Sequence, residues 1–379
     1  MTFKSVSLTA AFALLTAVAH PAIAATQQDS VSSLRFNGEL QVAQTESDES
    51  LRVLKEAFEL LKAKQYDRAL ATFDEAIRLN DKYARAWSGR AYALYLLERY
   101  PDAIASYRTA LELDPTLVHA WVWLGMALDD SGEPEAALDT YAEAIRLDAN
   151  YASAWFHQGV TLGRLERYSE AIAAYDRAVL ADPEYELAWL YRGILLHNAE
   201  RYKEAAASLE QAVRLNPDRA RTWSKLGSTF GYLKRYSQSL EALDRAIALE
   251  PDNPQSQYNR GITLENLERY QEAFDAFEKA TQLAPEFISA WFKLGNTSFR
   301  LEQYTIALEA YDRAIALNEN SESTWFNRGL VLASLRRYKE AIASFEETLR
   351  INPENQEAKA KIEALKEYVQ QQRNTTEIV

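Results

Sequence analysis

From Ala154 to Pro183 the chain reads AWFHQGVTLGRLERYSEAIAAYDRAVLADP. Trp155, Gly159 and Leu162 follow one another at the three-to-four spacing of a helix face, and Ala171, Ile172, Tyr175, Ala178, Val179 and Ala181 do so again after a polar break. Pro183 stands where the second helix must stop, because a proline cannot continue the hydrogen-bond ladder. The stretch therefore predicts a pair of amphipathic helices. The small Gly159, Ala171 and Ala178 let the pair approach closely, while Trp155 and Tyr168 fill the gaps.

The same pattern recurs on both sides. Trp121, Trp155, Trp189 and Trp223 are spaced 34 residues apart, and one frame runs without insertion from Ser50 to Asn355, which makes nine copies. Taking Ser50, Ala84, Val118 and their equivalents as position 1, position 4 is Trp in seven copies and position 8 is Gly in seven. Positions 20 and 27 are Ala in eight copies each, position 17 is Tyr in eight, and position 32 is Pro in six. A lone hairpin cannot bury both apolar faces, whereas stacked copies can. The repeat thus replaces the two or three domains that the length would suggest with one array.

Composition agrees and excludes much else. The 379 residues are 47% hydrophobic and 26% charged, with 12 glycines and 10 prolines, a helix-rich balance. No cysteine is present, so disulfides, thiolate metal sites and cysteine nucleophiles are excluded. The formal net charge of −13, without any block of Lys or Arg, disfavours nucleic acid as a partner. Residues 1–24 have Lys4, a short apolar run from Val6 to Ala19 and the small-residue ending Ala22-Ile23-Ala24, the pattern of a cleaved secretory signal. An export route to the periplasm or another extracytoplasmic space is expected, with no membrane span left after cleavage. An uncleaved N-terminal anchor is the alternative. Residues 25–49 read as a flexible polar tether, 356–373 as a C-terminal capping helix with Ile362, Leu365 and Val369 toward the stack, and 374–379 as a tail.

With its recurrent small, aromatic and proline positions in one register, the chain resembles the tetratricopeptide repeat (TPR) proteins. The resemblance covers about 300 residues and implies an all-α fold: a right-handed TPR superhelix, an α-solenoid of nine hairpins with its cap. It also implies that first helices line a concave groove, with positions 2, 5, 6, 9, 12 and 13 facing it. These positions carry Trp123, Phe156, His157, Leu190 and Tyr191 in the N-terminal half, then Lys225, Tyr258, Asn259, Phe292, Lys293, Asn296, Phe326 and Asn327 in the C-terminal half. Two readings stay open for each: a contact to a partner, or burial between neighbouring first helices. Asn296 and Asn327 match the two amides that hold the peptide backbone in chaperone-binding TPR domains, but Phe292 stands where that clamp has lysine. Arg221 and Lys225 resemble the clamp's basic pair, with Val160 and Tyr191 where its asparagines should be.

Catalytic signatures are missing. There is no phosphate-cradling glycine loop, no zinc-protease helix motif and no nucleophile turn, so no enzyme activity and no cofactor are expected. His119, His157, Asp129 and Asp130 are weak metal candidates, for no pair of histidines has the i, i+4 spacing that fixes two ligands on one helix turn. The leading expectation is an exported scaffold that binds an extended or helical segment of a partner protein, serving assembly of an envelope or membrane complex. Two others remain: a manganese-delivering assembly factor, since the layout resembles the PratA-type factors of photosystem II biogenesis, and a self-associating spacer.

Overall fold

The computed structural model describes residues 48–376, which form helices and turns. The expected signal at 1–24 and nearly all of the tether at 25–49 lie outside the described residues, as does the end of the 374–379 tail. Nineteen helices follow one another among the described residues: α1 (Asp48–Lys62), α2 (Tyr66–Leu79), α3 (Ala84–Leu96), α4 (Tyr100–Leu113), α5 (Val118–Asp130), α6 (Pro134–Leu147), α7 (Ala152–Arg164), α8 (Tyr168–Ala181), α9 (Glu186–Asn198), α10 (Tyr202–Leu215), α11 (Ala220–Tyr232), α12 (Tyr236–Leu249), α13 (Pro254–Asn266), α14 (Tyr270–Leu283), α15 (Ile288–Arg300), α16 (Tyr304–Leu317), α17 (Glu322–Ser334), α18 (Tyr338–Ile351) and α19 (Gln356–Thr376). They form two compact units, up to Glu204 and from Ala205 onward.

Two turns, one inside each repeat and one between repeats, recur because the same backbone problem recurs. Two residues past the end of every first helix, position 15 lies in the left-handed region, as at Glu166 (φ 60°) and Glu268 (φ 58°), and only the third copy supplies glycine there, Gly132 (φ 89°). The following amide then closes back on the helix, Arg167 N donating to Leu162 O at 2.9 Å. Between repeats, an Asp or Asn at position 31 accepts from the amide two residues on, as Asp182 Oδ1 does from Glu184 N at 2.9 Å. The position-4 tryptophans bind this second turn: Trp155 Nε1 donates to Ala149 O at 3.0 Å and Trp189 Nε1 to Pro183 O at 3.0 Å. Sequence spacing suggests a gap-filling ring; the structure adds a hydrogen bond that fixes the joint.

Within the first unit, each first helix from α1 to α7 packs on its own second helix and that second helix on the next first helix, while α1, α3, α5, α7 and α9 follow one another along the chain with α1–α3, α3–α5 and α5–α7 also in contact. Ala171 and Ala178 are fully buried, as are the position-24 rings Phe73, Tyr107 and Tyr175. Gly159 lies so close to Tyr175 that an added Cβ would meet the ring at 2.7 Å, so a side chain there would displace it. The second unit repeats the plan with Leu243, Phe277, Tyr311 and Phe345 at position 24. Its final helix, α19, buries Ala358 and Ile362 against α18, with Leu365 half-buried and Tyr338 and Tyr368 ring to ring at 5.1 Å.

Candidate functional site

The first-helix stripe differs between the two units. In the first unit, Trp123 (7% exposed), Phe156 (1%), His157 (8%), Leu190 (2%) and Tyr191 (5%) are buried rather than presented. Tyr92 and Trp123 meet in a tilted contact at 4.6 Å between centroids, and Phe156 meets Tyr191 at 5.5 Å and His157 at 5.1 Å. The rings at position 6 and the apolar side chains at position 5 close over one another, so here burial between helices is what the structure shows. Burial lowers the His157 imidazole to about 4, which keeps it neutral at pH 7.

At the C-terminal ends of α5 and α7 the same unit holds a small polar cluster. Asp129 is buried, and its Oδ2 accepts from Thr161 Oγ1 at 2.9 Å and from Arg164 Nη1 at 2.9 Å. Burial raises the Asp129 carboxyl above its ordinary range, against the pull of Arg164. Tyr95 donates its hydroxyl to Asp130 Oδ2 at 2.6 Å. These groups border a pocket with a cavity volume of about 40 Å³, whose apolar walls include Met126, Phe156 and Tyr191. His119, in contrast, sits at the other end of α5 beside Ser88, with Oγ to Nε2 at 3.4 Å. Burial lowers it to about 4 as well. The metal candidates therefore do not converge: among the described residues no three His, Asp, Glu or Cys side chains gather as ligands, and the best-placed carboxylate already faces an arginine.

In the second unit the stripe stays half-buried and polar. Tyr258, Asn259, Phe292, Lys293, Asn296, Phe326 and Asn327 are all partly exposed on α13, α15 and α17. Lys293 is not a free cation, because its Nζ pairs with Glu265 Oε2 at 2.6 Å, while Glu265 Oε1 accepts from Thr297 Oγ1 at 2.8 Å. Asn296 Oδ1 accepts from both Tyr311 Oη at 2.7 Å and Asn327 Nδ2 at 2.9 Å. That carbonyl is fully used, which orients both amides and leaves the Asn296 N–H₂ and the Asn327 carbonyl directed elsewhere. Gln255 Nε2 likewise donates to Asn259 Oδ1 at 2.9 Å. Lys225, half-buried on α11, is lowered to about 8, first by burial and then by Arg221.

Comparison with known proteins now bears on this arrangement. A family model described as the cilia and flagella-associated protein 70 C-terminal domain matches residues 45–284, and the tetratricopeptide repeat model matches residues 292–356. The chain belongs to the tetratricopeptide repeat family. No curated protein matches it. Similar solved structures include YrrB, a TPR protein with an unusual peptide-binding site, at 24% identity over 48% of this chain and 95% of that one, TM-score 0.46. PilW, a type IV pilus biogenesis factor, is 21% identical over 55% and 97%, TM-score 0.48. A chain of the Cut9–Hcn1 hetero-tetramer is 18% identical over 89% and 80%, TM-score 0.47. As a tetratricopeptide repeat array, the chain is a protein-interaction scaffold.

Several residues of these TPR networks escape a column-by-column reading. Thr161 and Thr297 both occupy position 10, and each donates to an acid at position 12 of the preceding repeat, Asp129 and Glu265. The pairing is diagonal across the frame, from position 12 of one copy to position 10 of the next, and only a search along such diagonals reveals it. Tyr311 is missed for a different reason: it is a core ring by position, yet its hydroxyl reaches the groove amides. Among the described residues no helix is long and apolar enough to cross a membrane.

Proposed function

We propose that this protein is an exported scaffold that holds an extended segment of a partner protein along the first helices of its second unit, in the assembly of an envelope or membrane complex. The observation that carries this reading is the Asn296–Asn327 pair. With one carbonyl satisfied internally, the pair offers an N–H donor on Asn296 and a C=O acceptor on Asn327, the complement of the C=O and N–H that an extended peptide exposes. Phe292 and Phe326, half-buried on either side in sequence, add apolar contact area. Extended chain fits better than helix, because a helix has already spent its backbone groups on itself. Export rests on the basic start, apolar run and small-residue ending of residues 1–24.

The test is to replace Phe292, Asn296 and Asn327 together by alanine and to compare proteins crosslinked to wild type and variant in the native envelope. Partners should be lost while the helical circular-dichroism signal is kept. An unchanged partner set on a folded variant would refute the groove reading. Mass spectrometry of the N-terminus should find a mature chain that starts near Ala25, and a chain that retains residues 1–24 in the cytoplasm would refute export.

A further inference from the structure

The polar cluster of the first unit leaves one of its carboxylate oxygens unpaired. Asp129 is only 6% exposed, and whereas its Oδ2 accepts two hydrogen bonds, its Oδ1 is buried with no partner. A buried carboxylate oxygen without a donor loses its hydration and gains nothing in exchange, so it favours any donor that can reach it. Asp129 lines the pocket together with Asp130, and the two carboxylates face a single guanidinium, Arg164, at 2.9 and 3.9 Å. Two negative charges against one positive charge leave one negative charge unmatched. His157, which also lines the pocket, is neutral at pH 7 and does not cancel it. Around this charge stand Tyr95, Phe156 and Tyr191, whose rings suit both an apolar stem and a cation.

Taking these observations together, we infer that the pocket between α5 and α7 receives a lysine side chain of the partner protein, its ammonium donating to Asp129 Oδ1 and its stem lying along the aromatic wall. The chemistry selects this class of ligand. A cavity volume of about 40 Å³ exceeds what a single water needs and accommodates an ammonium with its adjoining methylene, but not an aromatic ring. A divalent metal is disfavoured by Arg164, which already holds the same carboxylate. Arg164 also shows the recognition at work: its Nη2 reaches Asp129 O at 3.4 Å while Nη1 holds Oδ2, so a cation of the chain itself fills one half of the acceptor set. This inference rests on the protein-binding reading above and adds a second, separate contact to it.

The experiment uses full-length protein and an array of dodecapeptides of varied sequence, each lysine-containing member paired with a copy that carries norleucine in place of lysine. Binding of the lysine member should exceed that of its norleucine partner by about 10-fold, as expected for a buried charge-assisted hydrogen bond. Asp129→Asn, which keeps the shape and an acceptor, should abolish that difference while still binding the norleucine peptide as wild type does, which shows that the fold is intact. Arg164→Met should widen the difference, an effect that a merely structural role for Asp129 would not give. Equal binding of the paired peptides would overturn the lysine assignment and leave the groove reading standing. Absence of any bound peptide at submillimolar concentration would overturn both. Displacement of the lysine peptide by micromolar MnCl₂ would assign the pocket to a metal and overturn the inference.

Discussion

The same helical stripe is closed in one unit and open in the other. In the first unit, positions 5 and 6 carry Phe156 with His157 and Leu190 with Tyr191, and all four are buried. In the second unit the same positions carry Tyr258 with Asn259, Phe292 with Lys293 and Phe326 with Asn327, and all six stay half-buried. What differs is the partner at position 6. A ring at position 6, as in Trp123, His157 and Tyr191, goes with burial of its apolar neighbour at position 5, whereas an amide or a lysine there leaves the position-5 ring partly exposed. A repeat frame thus fixes where a side chain points, and the neighbouring side chain decides whether that direction is core or surface.

The largest test of this contrast is truncation of the central ring. Phe156→Ala should destabilise the first unit by about 3–5 kcal/mol, as a fully buried Phe does, and Phe292→Ala should cost the second unit only roughly 1–2 kcal/mol in line with its partial burial. Hydrogen exchange of the intact chain, resolved peptide by peptide, reads both; equal losses would break the comparison. Acid comes next. Burial holds His157 at about 4 when folded, so as pH falls below the ordinary 6.5 the unfolded chain takes up a proton that the folded one refuses. Its contribution is full above pH 6.5 and is lost toward pH 4, on the order of 3 kcal/mol. His119 acts in the same direction, and Asp129, raised by burial, opposes them. The second unit has no histidine and shifts elsewhere: with Lys225 lowered to about 8, its stability should rise between pH 8 and 10.5. Amide protection of each unit, corrected for intrinsic exchange, should show loss between pH 6.5 and 5 confined to the first, above the range where carboxylates such as Glu272 and Glu340 take up protons; loss of similar size in both would contradict the assignment.

A third test compares close approaches. Gly159→Ala forces Tyr175 aside, and Gly295→Ala does the same to Tyr311, whose ring an added Cβ would meet at 2.6 Å. Each should lower stability by about 1–3 kcal/mol. Only the second should also disturb the groove amides, because Tyr311 is bonded to Asn296. A nuclear magnetic resonance shift of the Asn296 and Asn327 side-chain amides in Gly295→Ala but not in Gly159→Ala is expected; movement in neither would detach the core ring from the groove. The smallest effect should be common to both units. Glu166→Gly and Glu268→Gly relieve the left-handed backbone at equivalent turns and should stabilise by about 0.5–1 kcal/mol each. Unequal gains in the melting temperature would mean that the turns, and not only the stripes, differ.

Much of this architecture is legible in the sequence, because it depends on residue size at fixed intervals. Gly159 under Tyr175, Ala171 and Ala178 in the helix contact and Pro183 past the end of α8 each act through a local steric rule. The groove was legible as a set of directions and not as a surface. The partner of Lys293 is hidden because Glu265, 28 residues earlier, lies in a different repeat and column. Asn296 and Asn327 stood out as amides, yet their bond to each other and the bond from Tyr311 depend on distances across repeats that spacing along the chain does not encode. Asp129 and Asp130 read only as weak metal candidates; Arg164 and Thr161, which set the chemistry of Asp129, come from the following repeat.

The tryptophan joints have a consequence for observing the molecule. Seven indoles, from Trp87 to Trp325, share one setting: half-buried and hydrogen-bonded to the carbonyl six residues before. Trp123 alone is buried in the aromatic stripe, in a tilted contact with Tyr92. Intrinsic fluorescence should therefore contain two populations: a collective signal from the joints, and a blue-shifted one from the closed stripe beside the proposed lysine pocket. Strain anywhere along the array would be readable in the first, and occupation of that pocket in the second, without attaching any dye.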